Sequence, residues 1–205
     1  MFDRKKFFDV VRHAPFEGTL SHGQVDGLNN ILDEWERRKL AELRWLANML
    51  AQTYHETAAT MQPIREHGSE AYLRGKPYYP WVGMGLIQVT WEHNARKFGA
   101  TRPEDLLAWP VALRALFDGM ITGMFTGKKL ADYFNERIDD PYNARRIVNG
   151  LDRAAEIASY HAAFLSALKA ASTGDPPKTI PVVETLPPAP QGGFFNALRN
   201  MFKRG

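Results

Sequence analysis

Helical periodicity is the feature that most narrows the folds open to this 205-residue chain. Apolar residues recur at intervals of three and four, which is the spacing of one helix face. Ser21 is placed to cap the second such segment, and Leu43, Leu50 and Tyr54 lie on the apolar stripe of the third. The sequence therefore predicts a mainly α-helical domain, with helices within residues 4–14, 21–39, 41–58, 102–125, 128–135 and 141–171.

The helical pattern stops between residues 61 and 85. Prolines and glycines interrupt every regular element there, while several Tyr and Trp residues supply aromatic surface. A loop of this length in a compact domain is usually functional or disordered, and aromatic side chains favour a function. Residues 85–91, GLIQVTW, alternate between apolar and polar side chains and predict a short strand. We therefore expect a small irregular or β-containing loop that forms a cleft.

The final predicted helix ends near Ala171, and Pro110 predicts a break or kink in an earlier one. Residues 172–192 hold six of the thirteen prolines and no core pattern, so they predict an extended, semi-rigid linker. The predicted organisation is a domain over 1–171, the linker over 172–192 and a cationic amphipathic helix over 193–205.

The net charge of the chain is concentrated at its end. Lys and Arg number 26 and Asp and Glu 23, and Arg199, Lys203 and Arg204 account for the difference of three. The remainder is formally neutral, which disfavours a broad nucleic-acid-binding face, because such a face needs clustered cations. The cationic helix predicts contact with an anionic membrane or lipopolysaccharide. Docking onto the protein's own groove or a partner chain is the alternative.

Cysteine is absent, which excludes a disulfide framework, a thiolate zinc site and a cysteine nucleophile. Charges interrupt the apolar residues of MFDRKKFFDVVRHAPF, so this segment predicts neither a secretory signal nor a membrane span. We expect synthesis in a reducing cytoplasm without a signal peptide, and a separate route to any substrate outside it.

Glu56 and Glu66 are the candidate reactive carboxyls. Cleavage of a glycosidic bond needs one protonated carboxyl to donate to the leaving oxygen and one carboxylate to activate water or attack the sugar. Partial burial at a helix end would favour the first role for Glu56, and basic neighbours would favour the second for Glu66. Spacing alone leaves open that both are ordinary solvated carboxylates, since Glu56 lies roughly opposite the apolar stripe of its helix.

A zinc site is the other interpretation of this segment, because His55 and Glu56 match the start of the metalloprotease helix motif. That motif has a second His four positions after the first, and here position 59 is Ala. His67 and His93 stand at spacings that are not diagnostic of zinc. No metal and no organic cofactor is therefore predicted.

Three further motifs carry a resemblance to a known family. The motifs are LANMLAQTYHET (46–57), GMGLIQVTW (83–91) followed by Asn94, and ARRIVNGLDRA (144–154). Their order and approximate spacing resemble those of family 19 glycoside hydrolases, the chitinase-like group. Three other segments are similar to a branch of phage and prophage lysis proteins: SHGQVDGLNNILDEW, MQPIREHG and LFDGMITGMFTGKKLADYFN. The resemblance covers most of residues 1–170, and it implies a bilobal, lysozyme-like helical domain.

The resemblance also implies roles for individual residues. It makes Glu56 the general acid and Glu66 the second carboxylate, with Thr90 holding the attacking water or the N-acetyl group. If the two carboxylates are well separated, the reaction inverts configuration. Amides and hydroxyls orient sugar groups, and aromatic faces stack on pyranose rings. The expected substrate-binding residues are His55, Tyr78, Tyr79, Gln88, Trp91, Asn94, Arg146 and Asn149.

One position departs from the family, which usually has an Arg where this chain has Met84. Loss of that cation would weaken binding, shift the preferred glycan, or mark a protein that binds without cleaving. The expected function is hydrolysis of β-1,4 links in bacterial peptidoglycan by an endolysin released from the host cytoplasm to the cell wall. A chitinase acting on chitin oligosaccharides and a non-catalytic cell-wall-binding or virion-associated protein are the alternatives.

Overall fold

The computed structural model describes residues 1–172, and the structural statements below concern that part of the chain. The predicted linker beyond Ser172 and the predicted cationic helix over 193–205 lie outside it. The α-helices are α1 (Arg4–Val11), α2 (His22–Arg37), α3 (Leu43–Glu56), α4 (Glu70–Arg74), α5 (Glu92–Lys97), α6 (Trp109–Thr122), α7 (Leu130–Tyr133) and α8 (Ala154–Ala171). Two 3-10 helices (Pro103–Leu107 and Asn143–Ile147) and two strands, β1 (Ile64–Arg65) and β2 (Met84–Gly85), complete the described elements. The prediction of a mainly α-helical fold is confirmed.

The second helix begins where the sequence predicted. Ser21 Oγ accepts the Gln24 N–H at 3.2 Å, and Gln24 Oε1 accepts the Ser21 N–H at 2.8 Å. This reciprocal capping box satisfies two donors that a helix start leaves without partners. Its effect is to fix the start of α2, which packs against the loop that follows α3.

The third helix is the centre of the domain. α3 packs along α8 and also contacts α2 and α6, and every residue from Trp45 to Thr53 is buried. The sequence predicted one apolar stripe, but neighbouring helices cover this helix on more than one side. Asn48 and Gln52 are therefore buried as well. α3 leaves the core only at its last turn, which carries Glu56 to the edge of the domain.

The first and last helices close the domain. α1 packs against α8, the Asp3 N–H donates to the Ala171 carbonyl at 2.8 Å, and Phe2 and Ser172 form a bridge. α8 ends at Ala171, as predicted. No helix within residues 1–172 combines the length and the apolar composition needed to cross a bilayer.

Pro110 marks a break between helices rather than a kink within one. The 3-10 helix Pro103–Leu107 ends before Ala108, and α6 begins at Trp109. Pro110 is thus within the first turn of α6, where its missing N–H costs no intrahelical hydrogen bond.

The predicted strand over residues 85–91 is wrong for most of its length. β2 ends at Gly85, and residues 86–88 form a turn. β2 pairs antiparallel with β1, so that Arg65 lies opposite Met84. Apolar alternation is shared by strands and by tight turns that direct alternate side chains into a core, and here Ile87 and Val89 are buried while Gln88 and Thr90 are half-buried.

Candidate active site

Glu56 ends the central helix and contacts an arginine from a distant part of the chain. Arg145 Nη1, in the 3-10 helix Asn143–Ile147, donates to Glu56 Oε1 at 2.6 Å. The Arg145 side chain is 2% exposed and the Glu56 side chain 16%. Burial of a charged pair costs desolvation free energy that apolar packing avoids. The contact therefore orients the Glu56 carboxyl without adding much stability.

Two further acceptors fix the Arg145 guanidinium. Nη1 also donates to Gln52 Oε1 at 2.7 Å, and Nε donates to the Asp152 carbonyl at 3.3 Å. Gln52 and Glu56 are four residues apart and so share one face of α3. Arg145 engages Oε1 of Glu56, which makes Oε2 the oxygen available to a bound molecule.

His55 lies beside this ion pair and is half-buried. Burial lowers its pKa, while the Glu56 carboxylate opposes that effect. His55 therefore favours the neutral form, which can both donate and accept a hydrogen bond. Among residues 1–172, no three His, Asp or Glu side chains converge as a metal ion would require.

Glu66 follows β1, and each of its carboxylate oxygens accepts a hydrogen bond. Oε2 accepts the Gly83 N–H at 2.9 Å, and Oε1 accepts the Tyr78 hydroxyl at 3.4 Å. A Cβ at Gly83 would lie 3.4 Å from Glu66 Oε2 and 2.9 Å from Gln88 Oε1. The missing side chain of Gly83 thus lets the Glu66 and Gln88 side chains approach the backbone at this position. Burial, with the Glu66 charge, raises the pKa of Tyr78, which keeps the phenol protonated as a donor.

The turn between β2 and α5 has a strained backbone. Gln88 has a φ of 51°, and Trp91 has a φ of 73° with a ψ of 139°. Positive φ values are uncommon for side chains of this size, and such strain concentrates at functional sites. Thr90 lies between the two strained residues and is half-buried.

The strained turn is nevertheless anchored on both sides. Gln88 Nε2 donates to the carbonyls of Ile64 and Gly85, each at 3.1 Å. Met84 and Val89 exchange backbone hydrogen bonds at 3.1 and 2.9 Å. The Gln88 side chain is therefore a structural clamp on β1 and β2 as well as a predicted ligand contact.

A chain of hydrogen bonds links this turn to the third motif. Asn94 Nδ2 donates to the Thr90 carbonyl at 3.0 Å, and Asn94 Oδ1 accepts from Lys97 Nζ at 2.9 Å. Lys97 Nζ also donates to the Met124 carbonyl at 3.2 Å. The Thr126 hydroxyl donates to the Arg146 carbonyl at 2.7 Å. The Asn94 side chain thus connects the Thr90 carbonyl to Lys97.

Within the described residues, Arg146 and Asn149 form no hydrogen bond or ion pair with either glutamate. Arg146 is exposed, and its Nε donates to Asn143 Oδ1 at 3.3 Å. Asn149 Oδ1 accepts the Gly150 N–H at 2.8 Å. The arginine that holds Glu56 is Arg145, which the sequence interpretation missed although it belongs to the same motif.

Aromatic side chains border a surface depression of about 470 Å³, and one of them, Tyr78, also donates to Glu66, which does not itself line the depression. The Tyr78 and Trp91 rings meet edge to face, with centroids 5.6 Å apart. Tyr79 is half-buried, and its hydroxyl donates to Glu70 Oε1 at 2.8 Å. The lining residues are Pro77, Tyr78, Tyr79, Trp81, Trp91, Glu92, His93 and Arg96.

Met84 is buried in the core. Its side chain is not among those that line the depression.

Comparisons of this chain with known protein families, with characterised proteins and with solved structures found no match. The functional interpretation therefore depends on the residues themselves and on their geometry.

Proposed function

We propose that this chain is a glycoside hydrolase that cleaves β-1,4 links between N-acetylated amino sugars of bacterial peptidoglycan. The observation that carries the proposal is the ion pair between Glu56 and the buried Arg145. It orients one carboxyl at the end of the central helix. A second carboxyl, Glu66, is oriented by Tyr78 and Gly83 on the loop that follows. Two oriented carboxyls are what hydrolysis of a glycosidic bond needs.

In the proposed mechanism Glu56 is the general acid. In its protonated form Glu56 keeps the Arg145 hydrogen bond at Oε1 and carries the proton for the bridging oxygen on Oε2, and the same guanidinium stabilises the carboxylate that proton transfer leaves. Glu66 in its ionised form activates the attacking water, and Thr90 orients that water or the N-acetyl group. Gln88 and the half-buried rings of Tyr79 and Trp91 hold the sugar.

Support for the family and fold comes from contacts between motifs that are distant in sequence. Glu56 of the first motif contacts Arg145 of the third, and Gly83 of the second donates to Glu66. We extend the proposal to a two-lobed, lysozyme-like fold and to the phage endolysin branch of family 19. Such an enzyme is made in the host cytoplasm and acts on the cell wall after release.

Replacement of Glu56 by Gln tests the proposal. The amide oxygen still accepts from Arg145, so the variant is expected to fold, while turnover of purified peptidoglycan falls by about 10²- to 10⁴-fold because the proton donor is lost. Turbidity clearing measures the rate, and circular dichroism checks the fold. Glu104→Gln is the matched control, because Glu104 is exposed on the 3-10 helix Pro103–Leu107; it is expected to retain full activity.

Equal clearing by wild type and Glu56→Gln would show that Glu56 is not the acid. If neither protein clears peptidoglycan but both bind it, the chain is a cell-wall-binding protein. Parallel assays on chitin oligomers separate a chitinase from a peptidoglycan hydrolase, since both would use the same carboxyls.

A further inference from the structure

The depression lined by Tyr78 and Trp91 has a charged wall that the proposed cleavage chemistry does not use. Glu92 and Arg96 lie one turn apart on α5 and form an ion pair, with Arg96 Nε and Nη2 donating to Glu92 Oε1 at 2.9 and 2.5 Å. Both side chains are exposed and line the depression. Neither of these contacts uses Nη1 of Arg96, and a guanidinium has five N–H donors.

The same depression is lined by the half-buried rings of Tyr79, Trp81 and Trp91 and by the buried Tyr78. Tyr78 donates to Glu66 and packs its ring against Trp91. The Trp91 ring in turn lies 6.2 Å from the His93 ring. The strained backbone at Trp91 directs the chain from the turn into α5, which brings the aromatic and charged walls to one depression.

We propose that this depression binds a peptide-substituted amino sugar of peptidoglycan, with the pyranose against the aromatic wall and a free carboxylate of the stem peptide on Arg96. This inference rests on the proposed function and names the substrate class of the same site. A volume of about 470 Å³ lies in the range of small-ligand sites, about 300–1,000 Å³.

Charge distinguishes the two candidate glycans. A chitin chain consists of neutral N-acetylated sugars and carries no carboxylate that could pair with Arg96. The stem peptide of peptidoglycan has free carboxylates, which a guanidinium binds through charge-assisted hydrogen bonds. As an exposed ion pair within one helix, Glu92 and Arg96 contribute little to stability.

The test measures binding by the full-length chain carrying Glu56→Gln, so that ligands are not consumed. Three tetrasaccharides serve as probes: a peptidoglycan fragment with stem peptides, the same fragment after enzymatic removal of the peptides and conversion of the exposed lactyl carboxylates to amides, and the chitin tetramer. Calorimetry is expected to show tightest binding to the peptide-bearing fragment. Arg96→Gln should weaken that binding by about 5- to 10-fold and leave the other two unchanged.

Two further variants make the test specific. Arg96→Lys keeps the charge and is expected to restore most of the preference. Arg37→Gln is the matched control, because Arg37 is also an exposed arginine paired with a glutamate of its own helix, Glu34, and does not line the depression; it should bind all three probes like the parent protein.

Equal affinity for the fragments with and without peptide would overturn the inference, as would an Arg96→Gln variant that weakens all three probes alike. These outcomes are separable from failure of the proposed function. If clearing depends on Glu56 but the peptide gives no preference, the hydrolase stands and the peptide site falls. If the preference depends on Arg96 but clearing does not depend on Glu56, the peptide site stands and the proposed role of Glu56 falls.

Discussion

At the scale of single residues, Arg145 is the side chain on which the candidate site depends most. One guanidinium serves Glu56, Gln52 and the Asp152 carbonyl while being almost wholly buried. A buried ion pair contributes little to stability as a whole, but removal of one partner leaves the other charge uncompensated. The two consequences can be measured separately, as stability and as activity.

Arg145→Gln is expected to lower the free energy of unfolding by about 3 kcal/mol, because Glu56 then stays half-buried without its cation. Urea denaturation at pH 7 measures the change. Arg146→Gln is the matched control, since Arg146 is the adjacent but exposed arginine, and it should change stability by less than about 0.5 kcal/mol. Equal losses in the two variants would contradict the specific role of Arg145.

The same pair of arginines shows how far sequence reasoning reaches at this scale. The motif ARRIVNG identified the correct segment, but the resemblance pointed to Arg146 and the structure has Arg145 against Glu56. Neighbouring residues of a 3-10 helix point about 120° apart, so only one of them faces α3. Which one does so depends on how the helix docks, and the local sequence does not contain that information.

At the scale of elements, the contact between α2 and the loop after α3 positions the segment of chain that connects Glu56 to Glu66. Gln24 Nε2 donates to the Ala59 carbonyl at 3.0 Å, and Gln62 Nε2 donates to the Gly23 carbonyl at 2.5 Å. Gly27 allows α2 to approach closely, because a Cβ there would lie 2.0 Å from the Met61 carbonyl oxygen.

Gly27→Ala is therefore expected to destabilise the protein by about 1–3 kcal/mol, although alanine is the better helix former. The added methyl group must push the loop away from α2, so peptidoglycan clearing should fall as well. Thermal unfolding followed by circular dichroism measures the first effect.

Gly23→Ala provides the control on the same helix. A Cβ at Gly23 would meet its nearest atom at 3.8 Å, an ordinary contact, so this variant should keep or slightly raise stability. A Gly27→Ala protein as stable as Gly23→Ala would show that α2 and the loop are not in close contact.

Elements were predictable where local chemistry decides them. The α2 capping box, the end of α8 and the break near Pro110 follow from residues close together in the chain. The strand over residues 85–91 failed because its alternation reflects burial of a turn, which only tertiary packing reveals. α3 was assigned correctly as a helix, but its enclosure by α2, α6 and α8 was not visible in a single stripe.

At the scale of the whole molecule, the pairing of α1 with α8 brings residue 3 to residue 171 and so holds together the two ends of the described part of the chain. The candidate site lies on this domain, whereas the net positive charge of the chain lies in residues 193–205. Catalysis and surface attachment are therefore predicted to be separable activities. Deletion of the terminal segment is the direct way to separate them.

Deletion of residues 193–205 is expected to reduce binding to vesicles of anionic lipid and action on intact cells, while clearing of purified peptidoglycan stays unchanged. The segment combines five large apolar residues with three cations, and apolar insertion adds to charge attraction at such a surface. Vesicle co-sedimentation measures the first effect, and added salt should weaken it.

A full-length variant with Arg199, Lys203 and Arg204 replaced by Gln isolates the charge, because it retains every apolar residue of the segment. It should bind anionic vesicles less than wild type and more than the deletion. Equal vesicle binding by wild type and the deletion would overturn the membrane prediction. If the deletion instead raises the rate on purified peptidoglycan, the segment docks on the enzyme's own groove, because its removal then frees the site that Glu56 and Glu66 define.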